Sequence, residues 1–263
     1  MTLTTSPVAP AEVLARRRPL RWVLDTLSFY AVLTMLAATF LGWSVMASLL
    51  RPVLPRHRGR RLGQFVINRA FSAFLWTMRI TGIVRYDLTA LDTLAGARGT
   101  VFAANHPALL DILLLGSRLP RTVCIIKASL WRNPLLGGGK LAGYIRNDAP
   151  LPLIRGAAAE LQAGDNLLIF PEGTRTRGGA LGAFRPGFAL IARRARAPVQ
   201  PLFIESNTPY LSKGWPLWRR PVFPLIYRVR LGPRRPVETR AEAFSEELHA
   251  LFLRELPGQS HPA

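Results

Sequence analysis

The segment VFAANHPALLD sets Asn105 and His106 directly after an apolar β-like run, with Asp111 five residues beyond His106. A strand end that feeds a helix holds side chains in a crevice at the sheet edge. An imidazole there takes a proton from an alcohol near neutral pH, and a carboxylate on its other ring nitrogen fixes the tautomer and steadies the imidazolium. Alone, this spacing equally describes a histidine satisfied by the backbone beside a solvated aspartate. A second cluster follows the β-like run Asn166–Phe170: Pro171, Glu172, Gly173, Thr174, Arg175, Thr176, Arg177, Gly178 and Gly179. Its turn amides, hydroxyls and two guanidiniums are the ingredients of an anion cradle, the alternative being a basic surface loop. Two clusters at strand ends of one α/β unit can face a single pocket.

The elements that would position them lie between Val84 and Ala263, where short β-like and helix-like runs alternate without an internal repeat. The strands expected are Thr100–Ala104, Thr122–Ile126, Tyr144–Ile145, Asn166–Phe170, Val199–Ile204 and Tyr227–Leu231. The helices expected are Ala108–Ser117, Pro134–Ala142, Leu153–Ala163, Gly187–Arg196 and Arg240–Leu256. Interleaving of this kind predicts an α/β domain with a partly parallel central sheet flanked by helices. Gly137–Gly139 reads as a flexible turn. The proline-rich stretch Asn207–Pro224 reads as an irregular loop whose Trp215 and Trp218 suit a lipid headgroup boundary.

Ahead of this domain, Thr26–Leu50 is an uncharged run of 25 residues, as a helix long enough for a hydrocarbon core about 30 Å thick. It is longer than the apolar stretch of a cleaved signal peptide, so it reads as a retained anchor. Arg16, Arg17, Arg18 and Arg21 precede it and Arg51, Arg56, Arg58, Arg60 and Arg61 follow it, so both flanks favour the cytoplasmic side. A tilted single span and a helical hairpin both answer that, with Leu62–Ile83 as the partner helix of the hairpin. In that partner Phe65, Ile67, Phe71, Phe74, Leu75 and Met78 recur every three to four residues, the pattern of an interfacial helix or of a core helix of the soluble domain. The expected organisation is a basic tail (1–21), a membrane-anchoring helical segment (22–83) and the α/β domain (84–263). The ends, Met1–Pro10 and Pro257–Ala263, read as frayed tails.

The formal net charge is +20, and only Lys127, Lys140 and Lys213 among the 35 basic residues are lysine. Arginine stays charged and grips phosphate in a planar fork, so an anionic partner follows, an anionic membrane surface foremost. Aromatic residues are not interleaved with the arginines as a base-stacking platform requires, so nucleic acid is not expected. The lone cysteine excludes a disulfide scaffold, and Cys124, in the apolar run TVCII, reads as core packing. His57, His249 and His261 have no ligand partner at suitable spacing, so no metal site is expected. No Gly-x-Ser-x-Gly elbow, P-loop or Gly-x-Gly-x-x-Gly fingerprint is present.

NHPALLD and FPEGTRTRGG, about 60 residues apart, resemble the signature blocks of the glycerolipid acyltransferase family typified by 1-acyl-glycerol-3-phosphate acyltransferases. Asn105, His106 and Asp111 match the first block and residues 170 to 175 the Phe-Pro-Glu-Gly-Thr-Arg block. Lys127, Leu130, Pro134 and Gly137 resemble the connecting segment, and Phe184, Gly187 and Ala192 the helix after the third block. Pro201 resembles a strand proline beside the acyl pocket. The resemblance covers Gly99 to Ile204 and implies a membrane-bound O-acyltransferase acting at the inner membrane, its catalytic domain on the cytoplasmic face.

By the resemblance, His106 is the general base on an acceptor hydroxyl that attacks an acyl thioester directly, and Asp111 orients the imidazole. Asn105, Glu172, Gly173, Thr174 and Arg175 would bind a lysophospholipid acceptor, with Arg146 as a further contributor. Acyl-CoA or acyl carrier protein is the implied co-substrate, with no other cofactor. The arginine-rich stretch of Arg193, Arg194 and Arg196 is either a dock for an acidic carrier or a solvated helix face. The family's second block places an arginine three residues after its aromatic, whereas this chain reads Tyr144, Ile145, Arg146, Asn147. Either a bulge returns Arg146 to the pocket, or the acceptor is not the usual lysophosphatidate but another lipid such as a lyso-ornithine lipid. A non-catalytic protein that binds anionic lipid is the reading from another functional class.

Overall fold

In the computed structural model, residues 19–133, 136–176, 180–216 and 219–256 are described. The elements are α1 (Pro19–Leu50), α2 (Arg56–Ile80), β1 (Val84–Asp87), α3 (Thr89–Asp92), β2 (Val101–Ala104), α4 (Asp111–Gly116), β3 (Thr122–Lys127) and α5 (Gly137–Leu141). There follow β4 (Ile145–Asn147), α6 (Pro150–Gln162), β5 (Asn166–Ile169), α7 (Gly187–Ala195), β6 (Val199–Ser206), β7 (Leu225–Leu231) and α8 (Ala241–Glu255). The strands form one mixed sheet in the order β1-β7-β6-β2-β5-β3-β4. β6, β2, β5, β3 and β4 are parallel, and β7 runs antiparallel to β6 with β1 parallel to it. The carboxyl ends of the five parallel strands therefore share one edge, where ligands bind in open α/β sheets.

Alternation along the strands sends side chains into two cores. Phe102, Ala104, Leu168, Leu202 and Ile204 pack under α1, α2 and α4. Val101, Ala103, Leu167, Val199 and Phe203 pack under α6, α7 and α8. Both faces of the sheet are covered, which is why its strands read as continuous apolar runs.

The two N-terminal helices have different surroundings. α1 is long and apolar enough to cross a membrane, and Leu27, Met35, Leu41, Val45 and Leu49 are exposed along it. It touches the domain through Phe29, against Tyr210 and Phe223, and through Trp43 and Ser44, against α5. α2 instead buries Ile67, Phe71, Phe74, Leu75 and Met78, and its Arg60 bonds Glu160 and, at 3.1 Å, Asp165 at the end of α6. The apolar stripe of Leu62–Ile83 is thus covered by the α/β domain, the core-helix alternative of the sequence reading, and Phe65, Trp76 and Ile80 are left exposed.

Two expectations are corrected. Gly137–Gly139 is not a flexible turn but the buried start of α5, where the backbone meets α1: a Cβ on Gly138 would lie 2.3 Å from the Trp43 indole nitrogen. β1 was not expected as a strand, and it pairs in register with β7 from Val84↔Leu225 to Asp87↔Arg228. Trp215, half-buried, packs edge-on to Tyr210 and donates its indole N–H to Arg219 O at 3.0 Å. Trp218, Arg177–Gly179, Pro134 and the tails 1–10 and 257–263 lie outside the described residues.

Candidate active site

β2 ends at Ala104, and the chain turns through Asn105 and His106 into α4, whose first residue is Asp111. Asn105 is buried and clamps β2 to β6, donating to Ile204 O and accepting from Ile204 N, both at 2.8 Å. That clamp fixes where His106 leaves the sheet. His106 Nδ1 lies 2.9 Å from Asp111 Oδ2, which also accepts the Ala108 N–H at 2.8 Å. The ring stacks on Phe170 at the end of β5, centroids 3.8 Å apart and planes 15° apart. Asp111 is fully buried, and burial raises its pKa while the hydrogen bond from His106 opposes that rise. The imidazole is thus held at one nitrogen by a carboxylate and along its face by a ring.

The second cluster is bonded to the first through the backbone. Glu172 is buried and accepts from the His106 N–H at 3.0 Å, the Thr176 hydroxyl at 3.0 and 3.1 Å and the Gly182 N–H at 2.9 Å. In return the Thr176 N–H donates to His106 O at 2.8 Å. Arg175 donates to Leu211 O at 2.8 Å and Ser212 O at 3.2 Å, and the Leu109 N–H also bonds Leu211 O. Loops after β2, β5 and β6 are therefore fused at one sheet edge. Gly173 adopts φ +68°, open to glycine at little cost, and faces outward with the half-buried Thr174 beside it.

The expected acceptor-binding set thus divides. Asn105, Glu172 and Arg175 are turned inward and engaged with the protein, whereas Gly173 is exposed and Thr174 half-buried. Arg146 stands apart: it is exposed on the edge strand β4, opposite Ile126, and pairs with Asp148 two residues on. No bulge carries it to His106. Pro201 shares the β6 face of Val199 and Phe203, under α7 and α8, whereas His106 stacks on Phe170 toward the α1–α2–α4 core. The structure does not bring Pro201 to the imidazole. Arg193, Arg194 and Arg196 are exposed just before β6 begins, at the sheet end opposite His106, so a carrier docked on them would face the wrong edge.

A cavity of about 590 Å³ lies between α2, α4 and β3, walled by Ile67, Ile112, Leu119 and Tyr144 and bordered by Arg61 and Arg98. Cys124 lines it, and burial pushes that thiol up to about 12, so it is packing and not a nucleophile. His249 packs edge-on to Phe184 on the far face. Sequence reasoning missed Thr176 as the bridge between the two blocks, the Leu211–Ser212 carbonyls as the seat of Arg175, and Phe170 as the ring beneath His106. Only Thr176 and Phe170 carried a signal, Phe170 as the first residue of the Phe-Pro-Glu-Gly-Thr-Arg block and Thr176 as the residue after it.

The Acyltransferase family model matches residues 85–205. Over 252 residues the chain is 26% identical to a 1-acyl-sn-glycerol-3-phosphate acyltransferase of Pseudomonas aeruginosa, covering 91% of this chain and 95% of that one. It is 31% identical over 199 residues to the human 1-acyl-sn-glycerol-3-phosphate acyltransferase beta, covering 70% of this chain and 67% of that one. A lyso-ornithine lipid O-acyltransferase of Pseudomonas aeruginosa is 34% identical over 135 residues, 49% of this chain and 52% of its own. The crystal structure of a 1-acyl-sn-glycerophosphate acyltransferase from Thermotoga maritima has the same fold, with a TM-score of 0.63 at 22% identity over 92% of this chain and all of that one. With the first and third blocks meeting at one sheet edge and relatives of this kind along most of its length, the chain belongs to the glycerolipid acyltransferase family and is an acyltransferase.

Proposed function

We propose that the protein moves a fatty acyl group from an acyl thioester, acyl-CoA or acyl carrier protein, to the hydroxyl of a lysophospholipid, foremost 1-acyl-glycerol-3-phosphate to give phosphatidate. The observation that carries the reading is the 2.9 Å bond between His106 Nδ1 and Asp111 Oδ2. With Nδ1 engaged, Nε2 is the atom that takes the acceptor's proton. The acceptor oxygen attacks the thioester carbonyl, the carbon–sulfur bond breaks, and the imidazolium returns its proton to the departing thiolate. Asp111 steadies the imidazolium, and Gly173 and Thr174 receive the acceptor's polar head.

α1 seats the enzyme in the membrane, with the catalytic domain on the cytoplasmic face of the inner membrane. Its 25 uncharged residues and the arginines on both flanks support that placement. The net charge of +20 supports attraction to an anionic leaflet. A second reading, transfer to another lipid acceptor such as a lyso-ornithine lipid, is favoured by the exposed position of Arg146, which leaves the phosphate of lysophosphatidate without that arginine.

Acyl transfer by the purified, detergent-solubilised protein to labelled acceptors, with both donors, tests the reading. We expect His106→Ala to lose about 10²–10⁴ in rate while staying folded. Transfer to lysophosphatidate that vanishes in the variant supports the first reading, and transfer to another lipid alone supports the second. Undiminished activity of the variant overturns the His–Asp mechanism.

A further inference from the structure

The two oxygens of Asp111 are unequally served. Oδ2 accepts from His106 Nδ1 and the Ala108 N–H, whereas Oδ1 is buried with no hydrogen-bond partner among the described residues. A carboxylate that must stay ionised to steady an imidazolium incurs a large desolvation cost when one of its oxygens is bare.

Sheet topology places a buried phenol in the core beneath it. Ile204 of β6, held by Asn105, fixes the height at which β2 ends, and Ser206 two residues on is paired with Tyr227 of β7. Tyr227 lies on the same face as Leu202, Ile204, Ala108 and Leu110, in the core beneath the His106–Asp111 turn. β7 is two strands from β2, about 10 Å, which a phenol and one water molecule can bridge. Tyr227 Oη is itself buried without a hydrogen bond of normal geometry, and the neighbouring Ser206 hydroxyl is engaged with the Thr208 backbone.

We propose that the Tyr227 hydroxyl supports Asp111 Oδ1 through a single bridging water, making Tyr227 a positioning residue of the His106–Asp111 pair. This rests on the reading of His106 as general base. Electrostatics agree: the charge of Asp111, second to burial, raises the Tyr227 phenol, and a hydrogen-bonding interaction with Ser206 lowers it. The other titratable groups facing Asp111 are His106 from the loop after β2 and Glu172 from the loop after β5, and Glu172 raises it. Tyr210, between β6 and β7, acts on Tyr227 and has no such link to Asp111.

The sign follows. Without the donor, the ionised carboxylate is less stabilised, the pair takes up a proton more readily, and the active deprotonated form survives only at higher pH. The test is the kcat–pH profile of the full chain in detergent, for wild type, Tyr227→Phe, Tyr210→Phe and His106→Ala. We expect Tyr227→Phe to lose about three- to tenfold in kcat at neutral pH, with the acidic limb displaced upward by about half a unit to one unit and activity recovering at alkaline pH. Its KM for acceptor stays unchanged, and Tyr210→Phe follows the wild type. A Tyr227→Phe limb that superimposes on wild type, or equal shifts in both tyrosine variants, overturns the proposal. In a crystal structure of the wild type that resolves ordered water, one molecule should lie within about 3 Å of both Oδ1 and Oη, and a dry gap overturns the proposal as well. Full activity of His106→Ala would instead remove the catalytic reading beneath it, whatever the tyrosine variants do.

Discussion

The mouth of β2 and β5 and the flank formed by α5 and the edge strand β4 are held by different forces. At the mouth, side chains of the signature blocks bond backbone across loops: Asn105 to Ile204, Glu172 to His106 and Gly182, Arg175 to Leu211. At the flank, buried glycines bring α5 against α1 and α2, and the polar side chain at its end, Arg146, is tied only to exposed Asp148. A buried polar network fails when one member is removed, because each partner is then left unsatisfied in a low dielectric. A close backbone contact fails when an atom is added. An exposed ion pair does neither, so the three cases separate by substitution.

The largest effect is expected at Glu172. Glu172→Ala strands the His106 N–H, the Thr176 hydroxyl and the Gly182 N–H, at about 1–3 kcal/mol for each group left buried. We expect a clear fall in Tm together with a loss of kcat of about 100-fold or more, as His106 loses its backbone anchor. Glu172→Gln, which keeps one acceptor oxygen, should fall between. If Glu172→Ala kept the wild-type Tm and raised only the KM for acceptor, Glu172 would be a binding residue and the mouth would not be the rigid region described.

Next comes the glycine seam. Gly138→Ala places a Cβ 2.3 Å from the Trp43 indole nitrogen, so the Trp43 ring or the α1–α5 contact must shift. Overpacking of this kind costs about 1–3 kcal/mol. Gly156→Ala on α6 is its counterpart: nothing lies within 4 Å of the added atom, and a helix interior gains up to about 1 kcal/mol from the exchange. Thermal unfolding of the two variants should therefore move in opposite directions. Parallel shifts would show that α5 and α1 are not in the close contact that sets the flank apart.

These differences also explain what could be read from the sequence. β2, β3, β5 and β6 announce themselves as apolar runs because both sheet faces are covered, and the two signature blocks sit at the ends of two of them. β1 did not, since Val84–Asp87 is four residues long with charges at Arg85 and Asp87, and its partner β7 is about 140 residues away. Gly137–Gly139 reads as loose by composition because the helix that covers it is nearly 90 residues upstream. Likewise, His106 and Asp111 could be named from spacing, but the inward turn of Asn105 and Arg175 depends on backbone groups of β6 and its following loop, and that of Glu172 on the His106 and Gly182 amides. Backbone atoms at Ile204 and Leu211 carry no side-chain signature.

The smallest effect is expected at Arg146, and it decides how far the contrast between mouth and flank extends to the substrate. Its guanidinium is exposed and pairs with Asp148 on the surface, where solvent and salt screen the interaction. Asp148, exposed, is held below the usual carboxylate range chiefly by the hydrogen bond from Arg146, so the pair belongs to the turn after β4. Arg146→Ala should therefore leave Tm unchanged and move the KM for a phosphate-bearing acceptor by less than about threefold. A tenfold rise in that KM, about 1.4 kcal/mol, would exceed what the surface pair can account for. It would mean that Arg146 swings from Asp148 to the acceptor's phosphate, and that the flank, not the mouth alone, reads the head group. Measuring the same variant with an acceptor lacking the phosphate separates the two: a phosphate contact disappears there, whereas a loosened β4 would raise both KM values alike.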